Sequence, residues 1–176
     1  MEKIEFEKIL LQTAFCCLAS DGNVDEREIS LLKSVFSEKE QYKDLNFDEK
    51  INSFIKNYNE KGKQFFTFYF DLLKESNLTE EEELSIINIA IKTIKADELI
   101  EYSEIKFFKI IRHNLKISDE KILAVFPDIE QFLEKDIITE SYLEKITNQY
   151  LDVAELPKFD LISFVSDSPN EIKKDE

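Results

Sequence analysis

The sequence predicts an all-α domain, and three observations carry that expectation. Glycine and proline are scarce, two and three respectively in 176 residues, too few to punctuate a β-rich or loop-rich chain. Apolar residues recur at helical spacing along most of the length. Asn46 with Glu49, and Thr79 with Glu82, have the spacing of capping boxes. A composition 43% hydrophobic and 35% charged supplies both a core and a solvated surface.

Residues 3–20 read as a first helix, with Ile4, Leu10, Leu11, Ala14, Phe15 and Leu18 as its apolar stripe. After the turn "ASDGNVDEREIS" a second helix carries Ile29, Leu32, Val35 and Phe36 on one side. Residues 37–45 are polar and read as a link. Asn46 starts a third helix running to about Asn59, and Gly62 breaks it. The next segment, "KQFFTFYFDLLKES", has Phe65, Phe66, Phe68, Tyr69 and Phe70 within six positions. Aromatics around so much of a helix imply a central, buried element or one shared with a partner subunit; central burial is the preferred reading.

Thr79 opens a helix to about Lys95 that contains Leu84, Ile87, Ile91 and Ile94. Another covers about 102–114. Ser118 is the expected cap of "DEKILAVF", which Pro127 ends. A short helix is expected over 128–135 and a longer one over about 139–154. Beyond Pro157, "KFDLISFV" reads as a short strand or extended arm, followed by a frayed tail. The domain expectation is therefore one helical unit over 1–156 and an arm and tail over 157–176.

The chain also repeats itself. "LLQTAFCCLASDGNVDEREISLLKSV" from Leu10 aligns with "IINIAIKTIKADELIEYSEIKFFKII" from Ile86, 76 residues further on. Ala14 meets Ala90, Leu18 meets Ile94 and Asp21 meets Asp97. Val24 meets Ile100, Asp25 meets Glu101, Glu28 meets Glu104 and Ile29 meets Ile105. "DEKI" at Asp48 recurs at Asp119, so the loop before it is shorter in the second half. The expectation is a bundle of two pseudo-repeated helical-hairpin units, about 3–76 and 77–135, around a pseudo-twofold.

The first of these stretches, an Ala-bearing helix followed by Ala19, Asp21, Gly22, Val24 and Glu28 and then an apolar helix, resembles the signature of the TerB family of tellurite-resistance domains. The likeness covers about residues 5–130. It implies an all-helical fold with two pseudo-repeated halves, and an acidic surface with a metal-binding role. Glu98 stands where the first turn has Gly22, a departure that weakens strict equivalence of the two turns.

The acidic turns are the one candidate site. An EF-hand does not fit. With Asp21 at position 1, Glu26 takes the turn-forming glycine's place and Leu32 that of the bidentate glutamate. Ordinary helix capping explains Val24 to Ile29: Asp25 is a sound N-cap, Glu28 sits at N3, and Val24 and Ile29 form a hydrophobic staple. It does not explain Asp21 or the doubling at Asp97, Glu101 and Glu104. If both turns meet at one end of the bundle, Asp21, Asp25, Glu28, Asp97, Glu101 and Glu104 converge. Such carboxylates repel unless protonated, solvated or neutralised by a cation. All-oxygen ligands favour Ca²⁺, Mg²⁺ or Mn²⁺; the alternative is a solvated acidic patch.

Other classes are less well supported. A formal net charge of −15 repels nucleic acid and anionic membranes and favours cations or basic protein patches. The N-terminal "MEKIEFEKIL" has acids where a signal peptide has bases, and no apolar run approaches the ~20 residues of a spanning helix; a cytoplasmic location is expected. Cys16 and Cys17 are adjacent in a helix, about 100° apart, and read as one core residue and one boundary residue. His113, beside Arg112 near a helix end, suits capping. No nucleophile–base pair or phosphate loop is apparent, so a non-enzymatic role is expected. The alternative function is a protein-interaction adaptor using its acidic face or its C-terminal arm.

Overall fold

The computed structural model describes residues 3–20, 26–37, 46–96, 100, 102–133 and 158–161. Among these the chain is all helical: α1 (Lys3–Leu18), α2 (Glu26–Ser37), α3 (Phe47–Lys61), α4 (Lys63–Glu75), α5 (Glu80–Ile94), α6 (Tyr102–His113), α7 (Asp119–Val125) and α8 (Glu130–Leu133). No helix among the described residues is long and apolar enough to cross a membrane. The expected helix over 139–154 and the tail lie outside the described residues.

Helix α1 packs along α5, the most extensive helix–helix contact among the described residues. Ala14 and Ala90 are fully buried, and their lack of side-chain bulk lets neighbouring helices approach closely. Leu10, Leu11, Ile86, Ile87 and Ile94 fill the surrounding core. The burial of α1 is wider than the stripe its periodicity suggests, because Ile9, Thr13, Cys16, Cys17 and Ala19 are buried as well. Thr13 is accommodated because its hydroxyl donates to Ile9 O at 2.8 Å and accepts from the Tyr69 hydroxyl at 2.8 Å. Thr93 donates to Ile89 O at 2.9 Å in the same way. Buried hydroxyls without such partners are costly.

The aromatic run is a core element. Phe65, Phe66, Tyr69 and Phe70 of α4 are buried, whereas Phe68 is 54% exposed beneath the Lys61 ammonium. Phe66 meets Tyr58 of α3 and Phe107 of α6 edge-on, with ring centroids 5.7 and 5.3 Å apart. Gly62, at φ 54°, makes the joint between α3 and α4; a Cβ there is disfavoured.

The caps differ in how far they follow the expected pattern. Thr79 and Glu82 form a complete capping box, with Thr79 N donating to Glu82 Oε2 at 2.8 Å and Glu82 N to Thr79 Oγ1 at 3.3 Å. Asn46 accepts from Glu49 N at 3.3 Å, and its amide donates to the Glu49 carboxylate. Ser118 occupies the N-cap of α7, as expected, but its side chain makes no capping hydrogen bond to the helix. After Pro127 a 3₁₀ turn leads into α8.

Two ion pairs tie successive helices together. Lys33 of α2 reaches Asp48 of α3 at 2.7 Å, and Arg112 of α6 reaches Asp119 of α7 at 2.7 Å. Both carboxylates are partly exposed, so each pair contributes at most about 1 kcal/mol.

Candidate functional site

The helices leading into the two acidic turns end alike. At the close of α1, Ala19 N donates to Phe15 O at 2.9 Å and Ser20 N to Cys17 O at 3.2 Å. At the close of α5, Lys95 N donates to Ile91 O at 3.0 Å and Ala96 N to Thr93 O at 3.1 Å. These are the same pairs of positions in the sequence alignment. The helices that follow, α2 and α6, begin at the aligned residues Glu26 and Tyr102 and end at the aligned residues Ser37 and His113.

Of the six acids expected to form the site, Asp21, Asp25, Asp97 and Glu101 lie outside the described residues. Glu28 falls in the first turn of α2, with its side chain outside them too. Glu104 is described, in the first turn of α6, and it is buried. Its carboxylate is close enough to Cys17, near the end of α1, to act on that thiol electrostatically. Helix α6, which carries this acid of the second motif, packs on α1, which leads into the first. Among the described residues no group of three or more His, Cys, Asp or Glu is arranged to hold a metal. Of the second staple, Ile105 packs partly against the core, while Ile100 is exposed.

Both cysteines are buried, at 0% and 1% exposure, so the expectation that one sits at the boundary is corrected. Neither is in a disulfide. Burial, and then the neighbouring Cys17, pushes the Cys16 thiol well above its ordinary 9.0. Burial, and then Glu104, raises Cys17 above the usual thiol range. Tyr69 is raised too, chiefly by burial. Thiolate is the reactive form, so native protein at neutral pH is expected to react with a thiol reagent only as fast as it unfolds. Folding holds these three protons that the unfolded chain releases. The stability they support is therefore full below the unfolded values and falls as pH rises through them, by up to about 1.4 kcal/mol per pH unit for each group. Urea melts between pH 8 and 10 check the sign.

Sequence reading missed the buried carboxylate of Glu83. It accepts from Lys116 N at 3.0 Å and from Ile117 N at 2.6 Å, fastening the start of α5 to the α6–α7 connection. Its place in "EEEE" reads as a solvated first turn. The available signal is that it shares a helix face with Ile86, Ile87 and Ala90. Arg112 donates to Leu115 O and to Asp119, and His113 is exposed at the end of α6.

The arm was expected as a strand or an extended segment. Its described residues, 158–161, form no strand. Phe159 packs on α3 of its own chain: its ring stacks on Tyr58 at 4.8 Å, and its backbone pairs with the Asn59 side chain. No family model, curated protein or solved structure matches the chain.

Proposed function

We propose that the chain is a non-enzymatic, cytoplasmic TerB-like module of a tellurite or stress-response system, binding one divalent cation through its paired acidic turns. The observation that carries this reading is the burial of Glu104 beside Cys17, four residues before Asp21. It supports a reading in which the second motif starts near the first. Were the two repeated halves related by a twofold, both acidic turns would come to one end of the bundle, and their carboxylates would be gathered there. Carboxylates so gathered are relieved by a cation, and oxygen ligands suit Ca²⁺, Mg²⁺ or Mn²⁺. The remaining surface, on a chain of net charge −15, suits basic protein partners rather than nucleic acid.

Thermal melting with each ion against chelator tests the reading. A ligand at 100 times its Kd stabilises by about 2.7 kcal/mol, and Asp21→Asn or Asp97→Asn is expected to remove the gain. A cooperative melt that millimolar ion leaves unmoved rejects a specific site.

A further inference from the structure

We infer that Glu7 is a clasp: its buried carboxylate accepts the main-chain N–H of Leu45 and fastens the connection ahead of α3 to α1, as Glu83 fastens the connection ahead of α7 to α5. The clasp uses none of the six acids and is independent of the cation reading.

Three carboxylates are buried among the described residues, those of Glu7, Glu83 and Glu104. Two of them stand at one position of the repeat, since Glu83 follows Glu7 by the same 76 residues that separate Asp97 from Asp21. Their surroundings match as well. Leu10, Leu11, Ala14 and Leu18 follow Glu7 at the spacing at which Ile86, Ile87, Ala90 and Ile94 follow Glu83, and all of these are buried. Each glutamate thus leads the inward face of its helix.

A glutamate is almost never buried without a partner, because a carboxylate taken out of water unaided is costly. Glu83 meets that requirement with the main-chain N–H groups of Lys116 and Ile117. Ile117 immediately precedes Ser118, the N-cap of α7. The residue in the same place before α3 is Leu45, because Asn46 is the N-cap of α3. Leu45 lies outside the described residues, but the helix it precedes does not.

The packing of α1 and α3 brings Glu7 to that end of α3. Phe15 of α1 meets Phe54 and Tyr58 of α3, with ring centroids 5.6 and 6.4 Å apart. Their relative direction follows from α4. Phe65 meets Phe15, and the Tyr69 hydroxyl meets Thr13, so α4 advances as α1 recedes. Phe54 and Tyr58 both meet Phe65 across the Gly62 joint, at 6.2 and 6.1 Å, so α3 doubles back on α4. Helices α1 and α3 consequently run the same way. Glu7 precedes Phe15 by as many residues as Asn46 precedes Phe54, and equal helical rise sets Glu7 level with the start of α3.

Amide hydrogen exchange on the full chain tests the clasp. Glu7→Met keeps the side-chain length and removes the acceptor. The Leu45 amide is then expected to exchange at least about fivefold faster, with the Lys116 and Ile117 amides unchanged. Glu83→Met is expected to give the converse. Glu5→Met, at an exposed position of the same helix as Glu7, is expected to leave both connections unchanged. A second measurement needs no substitution and decides the matter should Glu7→Met fail to fold. In the unmodified chain, an NMR scalar coupling across the hydrogen bond is expected between the Leu45 amide nitrogen and the Glu7 carboxyl carbon, alongside those from Glu83 to Lys116 and Ile117. Couplings from Glu83 without one from Glu7 to Leu45 overturn the inference. So does a folded Glu7→Met chain in which Leu45 exchange is unchanged, or in which both connections loosen alike.

Discussion

Phe66→Ala is expected to lower stability by roughly 3–5 kcal/mol, the range for emptying a fully buried aromatic site. Phe66 is 0% exposed and lies between Tyr58 of α3 and Phe107 of α6, so its loss opens a cavity where three helices meet. Neighbouring rings, held by their own edge contacts, collapse into it only partly. Against a total of about 5–15 kcal/mol for a native domain, this is a large share. At roughly 2–4 °C per kcal/mol for a chain of this size, the melting temperature drops by roughly 6–20 °C. Phe68→Ala, two residues on, is the control. Phe68 is 54% exposed and its recorded ring contact is with Lys61, so the expected loss is under about 1 kcal/mol. Equal losses at the two positions contradict the placement of α4.

Glu83→Ala is the second large effect, expected at roughly 2–3 kcal/mol. The main-chain N–H groups of Lys116 and Ile117 both point at this carboxylate. Alanine leaves them without it, and Ile117 is buried. Hydrogen bonds to an ionised acceptor are among the stronger ones. The same substitution at Glu81, exposed in the same turn, is expected to stay within about 0.5 kcal/mol. Amide hydrogen exchange supplies a local readout: the Lys116 and Ile117 amides are expected to exchange faster in Glu83→Ala, and unchanged rates argue against the contact.

The helices were legible because their apolar spacing and their punctuation agree. Asn46, Gly62, Thr79 and Pro127 each mark a boundary where the structure has one. Periodicity undercounted what α1 and α5 bury, since it gives threonine no inward preference and turns only one of two adjacent cysteines inward. Thr13 and Thr93 bury because their hydroxyls bond back to the carbonyl four residues earlier, a satisfaction that composition does not display. Glu83 was hidden for a related reason: a carboxylate in a run of four looks solvated until the N–H groups it accepts from are in place. Phe159 pairs with a residue 100 positions away, and one contact at that separation leaves no periodic trace. Among the acids, the doubling of the motif was visible in sequence, and the burial of Glu104 against α1 was not.

In the proposed function the two acidic turns serve one cation. The most direct measurement is a calorimetric titration of the metal-free full chain with Ca²⁺, Mg²⁺ and Mn²⁺. A single site per chain is expected for at least one of these ions, lost in Asp21→Asn and equally in Asp97→Asn if each turn supplies ligands as proposed. Two independent sites, each surviving loss of the other turn, or no binding of any of the three ions, would contradict it.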